Sequence, residues 1–144
     1  MKKIALFLFL LPSLNNPILE FKEVQIYSKQ SGSGFKTGSA ERKFSELKLS
    51  NANLVLVNST QLSRINYFLS TASCRNLHNT KLGINVIFGV AKTRNGQSIN
   101  LTITSNSVTD FTHHKVYRVS EENLPEYKMF IDSLWILYNT VEVR

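Results

Sequence analysis

The stretch Leu82–Ser105, LGINVIFGVAKTRNGQSINLTITS, holds two alternating runs separated by Asn95-Gly96. On the first run Leu82, Ile84, Val86, Phe88 and Val90 take even positions, between Gly83, Asn85, Gly89, Ala91 and Thr93, with Ile87 as the exception. On the second, Ile99, Leu101 and Ile103 alternate with Ser98, Asn100, Thr102 and Thr104. Period-two alternation predicts two strands, each with one face against a core. Asn-Gly favours a two-residue type I′ turn, because both central residues need positive φ. That turn predicts a register in which Arg94 faces Gln97, Lys92 faces Ile99, Val90 faces Leu101 and Phe88 faces Ile103. The apolar faces of both arms then coincide.

Working outward, Ile18–Lys29 predicts a strand whose apolar phase changes between Phe21 and Val24, which a bulge near Lys22-Glu23 reconciles. Gln30–Ala40 is a glycine- and hydroxyl-rich loop with Phe35 in its middle. Lys43–Asn58 contains two strand-like runs around Ser50–Asn53, as a hairpin or as one bent strand, and Leu54–Val57 reads as buried on both faces. A helix is expected over Ser59–Ser73, with Asn58 and Gln61 in capping-box spacing and Leu62, Ile65, Phe68, Leu69 and Ala72 on one stripe. Cys74–Lys81 then connects to the hairpin. Ser105–Ser107 turns the chain into a strand expected over Val108–Val119, with His113 and His114 near its middle. Ser120 or Asn123 caps a last helix, on which Tyr127, Phe130, Ile131, Leu134, Trp135, Leu137, Tyr138 and Val141 form a wide face over Phe88, Val90, Leu101 and Ile103. The order implies an α+β fold: a single two-layer domain, a mainly antiparallel sheet of about five or six strands, with two helices packed on one face.

The chain has 144 residues, 42% hydrophobic and 19% charged, which suits one globular domain and excludes a disordered chain. MKKIALFLFLLPSL opens it with two lysines and an unbroken apolar run before Pro12, the pattern of a secretory signal. Residues 1–15 are therefore assigned as signal peptide, with cleavage near Ser13 or Asn15-Asn16, and 16–144 as the domain. The run is shorter than the roughly 20 apolar residues of a membrane span, so no transmembrane helix is expected in the mature chain. Secreted or periplasmic localisation follows. Cys74 is the single cysteine and has no internal disulfide partner. The net charge is +7, to which Lys2 and Lys3 of the signal contribute. Between Glu46 and Asp110 there is no acid, while Lys48, Arg64, Arg75, Lys81, Lys92 and Arg94 all lie there.

Cys74, His78, His113 and His114 are the residues with zinc-ligand or nucleophile chemistry. Adjacent strand residues point to opposite faces, so His113 and His114 do not readily share one ion. No HExxH, nucleophile elbow, phosphate loop or paired-carboxylate motif occurs. No catalytic residue, metal or cofactor is assigned. The cationic segment is the candidate binding surface: Lys92, Arg94 and Asn95 at the hairpin tip, with Arg64 and Arg75. The partner is expected to be another protein or an anionic envelope surface, without specific nucleic-acid recognition. The function expected is that of a small exported, non-catalytic binding module, inhibitor- or immunity-like, acting through surface complementarity. The alternatives are a secreted enzyme with a Cys/His site and a small-ligand domain with a pocket between helix and sheet.

Overall fold

A computed structural model describes residues 19–27, 40–49, 54–78 and 86–140. The signal segment, the Phe35 loop, Ser50–Asn53, Lys81 and the first hairpin residues Leu82–Asn85 lie outside the described residues. So do Val141 and the side chains of Leu137 and Tyr138. The elements are β1 (Phe21–Tyr27), α1 (Ala40–Leu49), β2 (Leu54–Leu56), α2 (Ser59–Ser70), β3 (Ser73–Asn76), β4 (Ile87–Thr93), β5 (Ser98–Ile103), β6 (Ser107–Asp110), β7 (Lys115–Arg118) and α3 (Leu124–Thr140). All strand pairs are antiparallel, in the order β2-β1-β4-β5-β6-β7-β3. This is the α+β fold expected, with seven strands and three helices among the described residues.

The hairpin forms with its register one residue from the expectation. Lys92 faces Ser98, Ala91 faces Ile99, Gly89 faces Leu101 and Ile87 faces Ile103. The cause is the turn. Thr93 and Gln97 are the last bonded pair, the Gly96 N–H donates to the Thr93 carbonyl at 2.9 Å, and Gly96 alone takes positive φ, 85°. Arg94-Asn95-Gly96 is thus a three-residue loop closed by a left-handed glycine, the next commonest hairpin connection after the two-residue turn. The shift does not expose Phe88 and Val90, because β4 meets apolar groups on both faces. Ile87 and Ala91 join Ile99, Leu101 and Ile103 on one side, while Val86, Phe88 and Val90 lie on the other.

The first face carries the main core. Ile65, Phe68 and Leu69 of α2 and Tyr127, Phe130, Ile131 and Leu134 of α3 cover it. Leu101 and Ile103 are covered by α3 as expected, but Phe88 and Val90 belong to the opposite face. There Phe44 and Leu47 of α1 pack on Tyr27, Phe88 and Phe111, with Phe44 edge-on to Phe88 at 5.3 Å between centroids. The run Lys43–Leu49 is therefore helix and not strand. Ala40–Leu49 is built almost entirely from strong helix formers, and Arg42 and Glu46 pair one turn apart. Lys43 lies beneath this layer at 2% exposure, with its ammonium 5.9 Å from the Phe88 ring centroid, and burial lowers its pKa against the opposing pull of Glu46.

Two elements match their sequence signals closely. The β1 register shifts between Phe21 and Glu23, at the expected bulge. There Phe21 exchanges both backbone groups with the Asn66 amide at 2.9 Å each, fastening α2 to the start of β1. The capping box also forms: the Gln61 N–H donates to Asn58 Oδ1 at 2.8 Å, and the Asn58 N–H donates to Gln61 Oε1 at 3.0 Å. Asn58→Ala is expected to cost about 1 kcal/mol, read as a lower urea midpoint with unchanged slope.

Three further expectations are corrected. Leu54–Leu56 is an edge strand, so Leu54 and Leu56 are 40% and 56% exposed instead of buried on both faces. Ser73–Asn76 is strand β3 along the far edge, not a connection, because its backbone pairs residue for residue with Arg118–Lys115. The stretch Val108–Val119 is split into β6 and β7 by the turn Phe111–His114. The last helix starts at Leu124, so Asn123 takes the cap position. Its carbonyl accepts from the Tyr127 N–H at 3.0 Å, and its amide donates to Thr71 Oγ1 at 2.9 Å.

Burial raises the phenol pKa of Tyr27, Tyr127 and Tyr117, the last with further contributions from Cys74 and Asp110. A phenol whose folded pKa is raised keeps its proton when the unfolded chain loses it, so its stabilisation is complete below about pH 10 and is lost above. Lys43 has the opposite sign, since its lowered pKa favours the fold as pH rises towards the ordinary lysine value. Three phenols outweigh one amine. Stability is expected to fall above about pH 10, each phenol contributing up to about 1.4 kcal/mol per pH unit. Tyr127→Phe should flatten this slope by one proton in thermal melts taken across that range.

Candidate binding groove

α2 and the first turn of α3 flank an open groove of about 400 Å³ lined by Thr60, Ser63, Arg64, Tyr67, Phe68 and Glu126. Thr60, Ser63, Arg64 and Tyr67 recur at helical spacing, so one flank of α2 supplies a continuous wall. The buried stripe of the same helix drops Phe68 into the floor, where its ring sits 5.2 Å from Tyr127 and 5.8 Å from Phe130. Glu126 enters from the first turn of α3, where the helix dipole favours a carboxylate.

Arg64 is the organised cation of this site. Its guanidinium carbon lies 5.1 Å from the Phe130 centroid and 5.9 Å from that of Phe68. Cation–π attraction to the two rings restrains the guanidinium, while the side chain as a whole stays exposed. Glu126 lines the same groove, yet Arg64 and Glu126 form no ion pair with each other or with another described residue. Tyr67 is 54% exposed beside them.

The other cations read from the sequence are placed differently. Arg94 bonds Glu20 at 2.6 Å and Lys92 approaches Glu23 at 3.8 Å. The chain is acid-free through the hairpin, but β1 runs antiparallel beside β4 and brings its own acids to the tip. Asn95 is exposed there. Arg75 is on β3 at the far edge of the sheet. Its row crosses β4 at Phe88, so it lies on the order of 25–30 Å from Arg94 by strand spacing and rise. The five residues Lys92, Arg94, Asn95, Arg64 and Arg75 do not form one surface. The tip is one locus, Arg75 another, and Arg64 belongs to the groove.

A second polar cluster marks the turn Phe111–His114. Asp110, 2% exposed, accepts from the Thr112 N–H at 2.9 Å and the His113 N–H at 3.0 Å through Oδ1, and faces His113 Nδ1 at 2.7 Å through Oδ2. With its proton on Nδ1, His113 presents Nε2 outward. His114 follows with φ 55°, and its carbonyl accepts from the Leu77 N–H at 2.9 Å. This brings the chain beside His78 to the turn. Cys74 sits opposite Tyr117 and packs against the main core. Among the described residues, no three His, Cys, Asp or Glu side chains converge as a metal site.

The sequence pointed to Arg64 but not to Thr60, Ser63, Phe68 or Glu126 as its companions, because only the approach of α3 makes the groove. Asp110 was also missed as a turn residue. The available signal was an acid two and three residues before Thr112 and His113, the spacing of a side chain that caps a turn. Among the described residues no helix is long and apolar enough to cross a membrane. Comparison of the chain with protein-family models, curated proteins and solved structures finds no match.

Proposed function

We propose that this protein is a small exported, non-catalytic binding module that meets its partner through surface complementarity centred on the α2–α3 groove. The observation that carries this reading is Arg64, held over Phe68 and Phe130 and lining an open groove. Arginine and tyrosine dominate binding hot spots, and an arginine already restrained by two rings loses less freedom on contact. The apolar run at Ile4–Leu11 supports the export part of the reading. The test has two parts. Intact mass of the protein from the periplasm or medium should show loss of residues up to about Ser13–Asn16. Affinity capture from envelope extract and culture fluid should retain a partner at micromolar concentration, and Arg64→Glu should release it. Capture that is unaffected by Arg64→Glu, or no partner at all, contradicts the reading.

The Asp110–His113 pair favours a second reading, an enzyme in which His113 Nε2 serves as base. It predicts a catalytic activity in the purified protein that His113→Gln abolishes and Cys74→Ser leaves intact.

A further inference from the structure

We infer that the groove takes a short peptide in its zwitterionic form, with its carboxylate on Arg64, its ammonium on Glu126 and an apolar side chain on the exposed Tyr67 ring. This rests on the binding reading above and names its ligand. Two opposite charges open onto the same groove, more than 4 Å apart, with neither neutralised by the other or by another described residue. A ligand with both charges satisfies them together, whereas a simple anion leaves the Glu126 carboxylate facing like charge. The termini of a di- or tripeptide stand roughly 3.3–3.6 Å apart per residue, enough to reach across a gap of more than 4 Å. The volume, about 400 Å³, lies at the small end of ligand pockets, which span about 300–1,000 Å³.

The remaining walls fit the same ligand. Thr60 and Ser63 offer hydroxyls that donate to or accept from a peptide unit. Tyr67, braced edge-to-face by the buried Phe68 ring at 5.5 Å between centroids and itself 54% exposed, offers a ring onto which an apolar or aromatic side chain packs. Arg64 presents a planar fork suited to a carboxylate.

The probe is the dipeptide Ala-Phe, compared with its N-acetylated and C-amidated forms, titrated into isotope-labelled mature protein and followed through backbone amide signals of Thr60–Phe68. Ala-Phe is expected to give saturable shifts at millimolar concentration or below, and each blocked form to bind at least about 5-fold more weakly. The penalties should separate by residue: Arg64→Gln should erase the penalty of amidation, and Glu126→Gln that of acetylation. Both variants replace exposed side chains, and unchanged amide spectra elsewhere would verify their fold. Equal binding of blocked and unblocked forms, or no saturable shift up to about 10 mM, overturns the proposal. If Ala-Phe fails while Arg64→Glu still releases a captured partner, the binding module stands and the peptide ligand falls.

Discussion

Phe68→Ala is expected to lower the unfolding free energy by about 3–5 kcal/mol. Phe68 is 1% exposed and contacts three other rings: Tyr127 at 5.2 Å, Phe130 at 5.8 Å and Tyr67 at 5.5 Å. Its removal leaves a cavity where α2, α3 and the sheet meet, and α2 cannot collapse to fill it. Asn66 ties that helix to Phe21, the capping box fixes its start, and Asn123 ties its end to α3. Typical domains are stable by about 5–15 kcal/mol, so the variant should be marginal. Urea unfolding gives the number directly. The same substitution removes one ring from beneath Arg64, so a conservative Phe68→Leu separates the two roles. It should keep most of the stability while loosening the guanidinium and weakening whatever the groove binds.

Gly89→Ala adds a single methyl and is expected to cost about 3 kcal/mol. Gly89 lies in the middle of β4 between Ile26 of β1 and Leu101 of β5. A Cβ there would stand 2.5 Å from the Gln25 carbonyl oxygen, with Leu101 Cδ1 next at 3.5 Å. The obstacle is backbone in the centre of the sheet, so relief requires β1 to move away from β4. That pairing also holds β2, the Glu20 and Glu23 contacts of the tip, and the anchor of α2 at Phe21. The variant should therefore lose hydrogen-exchange protection through β1 as well as global stability. Gly96 contrasts with it. It has open space around its Cβ direction but φ of 85°, so its substitution strains only the loop.

Much of the fold was legible where the signal was local. Asn58 and Gln61 cap α2 at the expected spacing, and the phase change between Phe21 and Val24 marks a bulge. The hairpin was legible as a hairpin, but not its register. Alternation selects a register only when one face is apolar, and β4 carries Ile87 and Ala91 on one face and Phe88 and Val90 on the other, with Val86 just before it on that second side. Two registers then bury comparable groups, and the left-handed Gly96 decides between them. Within α1, Leu47 and Leu49 alternate like a strand, although the propensities of Ala40–Leu49 favour a helix. β3 has no apolar pattern to read, since an edge strand such as SCRN is held by the backbone of its neighbour. The site was less legible for the same reason. A run without acids suggested one cationic surface, but Glu20 and Glu23 arrive at the tip from β1, and Arg75 lies strands away from it. Arg64 is set apart by Phe130, contributed by an element more than sixty residues later.

Which face each β4 side chain takes governs both cores, the clash at Gly89 and the platform on which α2 and α3 form the groove. Disulfide formation across the hairpin reads that register. Lys92 and Ser98 are directly opposed, exposed, and next to the bonded pair Thr93–Gln97, which makes them a close, non-hydrogen-bonded pair suited to a bridge. In a Cys74→Ser background, Lys92→Cys with Ser98→Cys should oxidise readily to an intramolecular disulfide without loss of stability, and Lys92→Cys with Ile99→Cys should not. The reverse outcome would place the hairpin in the two-residue-turn register and contradict the account.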